Sequence, residues 1–366
     1  MTAPRIYLDH AATTPVLPQA RAAVMDAMER WANPSSPHRE GRAAKAALED
    51  ARARIKAALG WNGDLIFSAT ASEAAALAFR RCHSQGPRPA LTTVEHDAIR
   101  AQVPEGEGFN LPVRTDGLVD PEALATWLHL APGGLVAVQH CNSETGVFQH
   151  IPDIGEAVDA AGSYLLVDCA QTAGKLPLPA ADLLIVTATK LGGPPGAAAL
   201  LVRDPKLLVP TGGQERGYRR GTENLPAILG FAAALEARND EQHAAAFSQQ
   251  LRNRFLLEER LMTNGAVTIC ENSFRSPFVG SYAMPGMSAQ AQLVRFDLMG
   301  ISVSAGSACS SGSMKPSHVM EALGLDPAVA ASAIRVSFSL DTREDEVRTF
   351  ADAWVQLASE ARSRAA

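Results

Sequence analysis

Residues 164–190, YLLVDCAQTAGKLPLPAADLLIVTATK, hold two short apolar runs, each followed by residues with chemistry to offer. Tyr164–Val167 gives way to Asp168, Cys169, Ala170 and Gln171. Leu183–Val186 gives way to Thr187, Ala188, Thr189 and Lys190, and a Gly/Pro turn follows at 191–196. Asp64–Phe67, Leu135–Val138 and Ala197–Val202 are runs of the same kind, and 41–59 (GRAAKAALEDARARIKAAL) carries apolar residues at helical spacing with charges between. Short all-apolar runs among helices predict an α/β fold whose mostly parallel sheet is buried on both faces and flanked by helices. Ligands of such sheets bind beyond the carboxyl ends of the strands, so the residues after each run are read first.

The pattern changes beyond about residue 245 to a long polar helix, shorter strands and two more helices. Ala333–Ser339 (AIRVSFS) alternates like a strand with one face exposed. This predicts a large domain over 14–245 and a smaller α+β domain built from 1–13 and 246–366. The 366 residues carry a net charge of -6, which argues against the basic face that nucleic-acid binding needs. No apolar run approaches a membrane span, and MTAPRIYLDH lacks the basic-then-apolar order of a signal peptide, so a cytoplasmic protein is expected. The five cysteines, Cys82, Cys141, Cys169, Cys270 and Cys309, include no CxxC pair, which disfavours disulfides and a metal site.

Asp168 and Lys190 lie 22 positions apart, each after a buried run, and can meet over one pocket. Pyridoxal phosphate requires such a pair: an amine for its aldehyde and a carboxylate to keep its ring nitrogen protonated. Taken singly, the lysine also reads as a solvated strand end and the aspartate as a helix cap. A phosphate needs amides at a helix start, and Ala71 and Ser72 follow Asp64–Phe67 at the entry to an alanine-rich helix, where Ser72 could equally be an ordinary N-cap. Thr187 offers a hydroxyl. His96 offers a ring to stack on a planar cofactor or to satisfy a loop carbonyl. Asn142 and Glu144 follow Leu135–Val138. Cys309 sits in SAGSACSSGS (304–313), too rich in small residues for a core element and suited to a loop that moves.

Together these pieces resemble the group I (NifS/IscS-like) cysteine desulfurases of the class V aminotransferase family. The resemblance runs nearly end to end. It includes Tyr7-Leu-Asp-His-Ala-Ala-Thr-Thr-Pro15, Asn33-Pro-Ser-Ser-Pro-His38, Ser72-Glu73, Glu95-His96, Asn142-Ser-Glu-Thr-Gly146, Val167-Asp168-Cys-Ala-Gln171, Lys190, Gly213-Gln-Glu-Arg-Gly217, Arg220-Gly-Thr222, the Cys309 loop and Ile334-Arg335.

The resemblance implies a fold-type I pyridoxal 5'-phosphate enzyme. Lys190 would form the Schiff base and move protons, Asp168 would pair with the ring nitrogen, and Gln171 would bond the ring oxygen. His96 would stack on the ring and act in catalysis, and Asn142 would lie near ring and substrate. Ala71, Ser72, Thr187 and the position of Thr189 would serve the phosphate, as would Thr222 across a homodimer. Arg335 would grip the carboxylate of L-cysteine, and Cys309 would take its sulfur as a persulfide. The sulfur would pass to an acceptor or iron-sulfur scaffold protein.

The chain departs from the family's pattern in several places. Thr189 replaces the usual histidine before the lysine, Ala74–Ala76 replace polar residues, and Ser72 replaces a commoner threonine. The end soon after the last helix implies a shorter tail than the one with which some relatives dock scaffolds. An aminotransferase or selenocysteine lyase of the same fold, or a non-catalytic assembly subunit, are the competing readings. A transaminase needs no loop thiol, and an inert subunit needs no Lys190.

Overall fold

The computed structural model describes residues 5–82, 88–237, 240–306 and 317–365. Its largest sheet has seven strands in the order Asp64–Ser68, Ala198–Val202, Leu183–Thr187, Tyr164–Asp168, Leu135–Gln139, Ala90–Thr92 and Phe109–Leu111. Six run parallel, and Ala198–Val202 alone is antiparallel to both of its neighbours. Every residue of Leu135–Gln139, Leu183–Thr187 and Ala198–Val202 is buried, as expected of a sheet covered by helices on both faces.

Helix Arg39–Ala58 turns Ala44, Leu48, Ala51 and Ile55 into this core, a stripe of i, i+4, i+7 and i+11. On the other face Ala74, Ala75 and Ala78 of helix Ala71–Arg81 lie against Ile66, Ile185 and Leu200. Of the alanines at 74–76, Ala74 and Ala75 thus lie where this helix sits close on the sheet.

A second core gathers Trp354, Phe350, Phe296 and Tyr282 beneath helices Asp240–Met262 and Glu344–Ala365. Its antiparallel sheet orders Ala333–Ser337, Val279–Ala283 and Val267–Thr268. Ile6–Tyr7 pairs in parallel with Ile301–Ser302. The expectation that the strand at 333–339 exposes one face is corrected: all five residues of Ala333–Ser337 are buried. The alternation is real, but its polar face is covered by the chain's first residues. Ser337 Oγ accepts from the Ala11 amide at 2.8 Å, the Ser337 amide donates to the Leu8 carbonyl at 2.8 Å, and Arg335 pairs with Asp9. Among the described residues no helix is long and apolar enough to cross a membrane.

Candidate active site

Tyr164–Asp168 and Leu183–Thr187 are parallel neighbours, with Asp168 opposite Ile185 in the register. The chain leaves the second strand through the short 3₁₀ turn Ala188–Lys190. This brings Asp168 and Lys190 to one edge of the sheet, close enough for the Lys190 charge to act on the Asp168 carboxyl. Burial pushes that carboxyl above its ordinary range, while the Ala170 amide (2.8 Å to Oδ1), His96 and Lys190 pull it back. A cation placed on it would be welcome.

Lys190 Nζ donates to the Ala11 carbonyl at 2.8 Å and to the Ala12 carbonyl. Gln171 Nε2 donates to the same Ala11 carbonyl at 3.0 Å, and its buried Oε1 has no partner. The segment is fastened to the lysine turn by the Thr14 amide on the Thr189 carbonyl (2.8 Å) and Thr14 Oγ1 on the Lys190 carbonyl (3.2 Å).

Helix Ala71–Arg81 is capped by Thr70, whose Oγ1 accepts from the Glu73 amide at 3.1 Å, while Glu73 Oε2 accepts from the Ala69 amide at 2.6 Å. This reciprocal cap removes the reading of Ser72 as N-cap: Ser72 lies in the first turn, exposed, where its amide and that of Ala71 have no intrahelical acceptor. Thr187 Oγ1 lies 3.3 Å from Thr189 Oγ1, near the strand end. Thr222 is exposed, on the loop after Arg219 and Arg220.

That loop is bolted to the phosphate-type turn twice. Arg219 Nε donates to Glu73 Oε1 at 2.8 Å. Glu215 accepts from the Phe67 amide at 2.8 Å and, through both carboxylate oxygens, from the buried Arg52 at 2.8 and 2.9 Å.

His96 caps the short helix Asp97–Arg100, Nδ1 accepting from the Ala98 amide at 3.0 Å, and the residue is exposed. Asn142 is used inside its loop. Its Oδ1 accepts from the amides of Glu144 and Thr145 (both 2.9 Å), and Nδ2 donates to the carbonyl of Val94 (3.2 Å) and to Gln139 Oε1 (3.4 Å). The half-buried residue of the loop is the next one, Ser143, whose carbonyl accepts from Arg335 Nη1 at 3.3 Å. Arg335 Nη2 donates to Asp9 Oδ1 at 2.8 Å, and its buried Nε has no partner. Cys309 lies outside the described residues.

Sequence reasoning gave no role to Asp9, Ala11, Ala12 or Ser143. Asp9 and Ala11 fall within a quoted motif, but their partners stand far along the chain, Arg335 at a separation of 326 residues. The orphaned Gln171 Oε1, the open amides of the first helical turn and the half-buried Asp168 together fit a planar, phosphate-bearing, cationic ring. The guanidinium with a spare donor fits a carboxylate.

A family model described as Aminotransferase class-V matches residues 6–350. The chain is similar to cysteine desulfurase IscS of Dictyoglomus turgidum, 31% identical over 361 residues covering 93% of this chain and 91% of that one. It is also similar to a cysteine desulfurase of Cereibacter sphaeroides, 34% identical over 365 residues covering 94% and 93%. Among solved structures, a NifS-like protein from Rickettsia africae superposes with a TM-score of 0.87 at 30% identity, covering 97% of this chain and 99% of that one. SspA in complex with cysteine superposes with a TM-score of 0.76 at 29% identity, covering 91% and 98%.

Proposed function

Because this chain belongs to the class V aminotransferase family and is a cysteine desulfurase of the NifS/IscS-like kind, we propose that it converts L-cysteine to L-alanine on pyridoxal phosphate through Lys190, Asp168, Arg335 and Cys309. The observation that carries the reading is the meeting of Asp168 and Lys190 at adjacent strand ends. When bound, pyridoxal phosphate supplies an electron sink at the substrate's α carbon.

The chain's own residues do the rest. Lys190 Nζ would hold the aldehyde carbon and move a proton at the substrate and cofactor carbons. Asp168, held above its ordinary range by burial, regains a counter-charge from the ring N–H. Gln171 Oε1 would accept from the ring's hydroxyl and the exposed His96 would lie on the ring's face, with Asn142 shaping the loop beside them. The Ala71 and Ser72 amides and the Thr187 and Thr189 hydroxyls take the phosphate, and Thr222 reaches the phosphate of a second copy in a homodimer. Arg335 takes the substrate carboxylate.

The Cys309 thiolate attacks the substrate sulfur. An S–S bond forms and the carbon–sulfur bond breaks with its electron pair left on carbon. That carbon gains the proton given up by the thiol, so alanine and a protein persulfide balance without an external oxidant. We assign the persulfide to an acceptor or iron-sulfur scaffold protein in the cytoplasm.

Two variants test the reading. Lys190→Ala abolishes the absorbance above the aromatic band that borohydride bleaches, and Cys309→Ser keeps that absorbance and its change with L-cysteine. Cys309→Ser also lowers alanine release about a hundredfold or more, because a hydroxyl is a poor sulfur nucleophile. Alanine release at the parent rate from Cys309→Ser removes the thiol from the mechanism.

A further inference from the structure

The turn 213–217 holds a backbone conformation that its side chains oppose. Glu215 (φ +50°) and Arg216 (φ +57°) are consecutive non-glycine residues in the left-handed region, between Gly213 (φ +104°) and Gly217 (φ +90°). Residues with a Cβ stay there only where the surrounding structure over-determines them.

The surroundings here are a buried ion pair, each member more than nine-tenths covered. Glu215 Oε1 accepts from Arg52 Nη2 at 2.9 Å, and Oε2 accepts from Arg52 Nη1 and from the Phe67 amide, both at 2.8 Å. Arg52 is fixed in its turn. Nε donates to Glu49 Oε2 at 3.0 Å, Nη1 donates to the Leu65 carbonyl at 2.7 Å, and the guanidinium lies 4.6 Å from the centre of the Phe67 ring.

From this anchor the loop continues through its own bonds. The Gly217 amide donates to the Gln214 carbonyl at 2.9 Å, Gln214 Oε1 accepts from the Gly221 amide at 3.1 Å, and Arg219 Nη1 donates to the Gly221 carbonyl at 3.1 Å. Thr222 comes next. It is exposed, and its hydroxyl makes no hydrogen bond to any of the described residues. A loop so closely bonded behind an exposed, unbonded threonine is suited to present it to another molecule.

We propose that Arg52 and Glu215 are positioning residues for the phosphate site of a second copy of this chain. Their ion pair holds the 213–217 turn in its left-handed form, and the turn sets where Thr222 stands. The proposal rests on the homodimer reading of Thr222.

The test uses Thr222→Val, Glu215→Gln and the double Glu215→Gln/Thr222→Val in the cofactor-loaded enzyme. Cofactor loss is followed on dialysis against phosphate, and sedimentation at the same protein concentration reports assembly. Thr222→Val speeds cofactor loss about tenfold, the scale of one hydrogen bond to a charged group. Glutamine keeps an oxygen for the Phe67 amide but sets an NH2 against the guanidinium, so Glu215→Gln releases the turn and speeds loss by a similar factor. Because both act through one hydroxyl, the double variant loses cofactor within about twofold of either single one. All remain dimers.

Rates that multiply to about a hundredfold in the double variant overturn the proposal, because the pair would then act on its own chain's phosphate turn through Phe67. So does loss at the parent rate from Glu215→Gln, or its dissociation to monomers. If Glu215→Gln leaves Arg52 too poorly matched to fold, Arg52→Met/Glu215→Gln, which removes both charges together, takes its place in the same comparison. The two readings fail differently. A monomeric parent enzyme, or unchanged retention in Thr222→Val, sinks the homodimer reading. Faster loss from Thr222→Val beside an unimpaired Glu215→Gln sinks only the role of the ion pair.

Discussion

Glu95→Gln is the perturbation whose effect follows most directly from the fold. Glu95 is fully buried, and Oε1 accepts from Thr92 Oγ1 at 2.6 Å and from the Gln139 amide at 2.8 Å. Its Oε2 has no partner, and Asp168 adds a like charge. Burial chiefly, then that charge, push the carboxyl from 4.5 to about 8, against the two hydrogen bonds. A group whose folded value is raised contributes stability below its unfolded value and loses it as pH rises through the folded one. The unfolded chain therefore ionises Glu95 while the fold keeps it neutral, and the fold weakens progressively from about pH 4.5 to about pH 8. At 1.36 kcal/mol per pH unit the loss between pH 5 and pH 7.5 is about 3 kcal/mol.

Glutamine keeps the acceptor and never ionises. For 366 residues the unfolding entropy is about 0.8 kcal/mol/K, so 3 kcal/mol corresponds to about 4 °C. Thermal scans at one fixed rate from pH 5 to pH 7.5 should show the Tm of Glu95→Gln gaining about 4 °C on that of the parent protein. A Tm difference that does not change with pH would refute a neutral Glu95 beneath the site.

Two further outcomes follow from the cofactor reading. Thr189→His, which restores the family's usual residue beside Thr187, should hold cofactor at least as tightly on dialysis against phosphate, and faster loss would mean a pocket rebuilt around threonine. Arg219→Ala removes the 2.8 Å bond to Glu73 that braces the phosphate turn and should weaken cofactor retention about fivefold, equivalent to about 1 kcal/mol, measured by cofactor count after dialysis. Retention equal to the parent's would show that the turn stands without its brace.

The elements that carry the site were legible because their signal is local. Leu183–Val186 and Tyr164–Val167 are apolar throughout, which only a doubly covered strand tolerates, and the polar residues after them fall at the strand ends. Strand direction was not legible: nothing in Ala198–Val202 says that it runs against its neighbours. The alternation of 333–337 was read correctly as a strand but not as a doubly buried one, because the cover comes from residues 8–11. Ser72 was ambiguous until Thr70 was found to cap its helix, since either hydroxyl suits an N-cap. The bond from Ser317 to Glu144 joins residues 173 positions apart, and no periodicity encodes it.

The bond from Arg335 to Asp9 also sets an order in time. Asp9 leaves a ribosome well before its partner, which follows 326 residues later. At about 5–20 residues per second that wait lasts roughly 15–65 s. Throughout it, Ile6–Tyr7 also lacks Ile301–Ser302, the strand it pairs with. The seven-stranded sheet needs only residues 64–202 and can close during the wait, leaving Tyr7 and Leu8 uncovered on the nascent chain. The lysine turn is then also without the carbonyls of Ala11 and Ala12 in their final place, so a nascent chain with a finished sheet is still without a finished pocket.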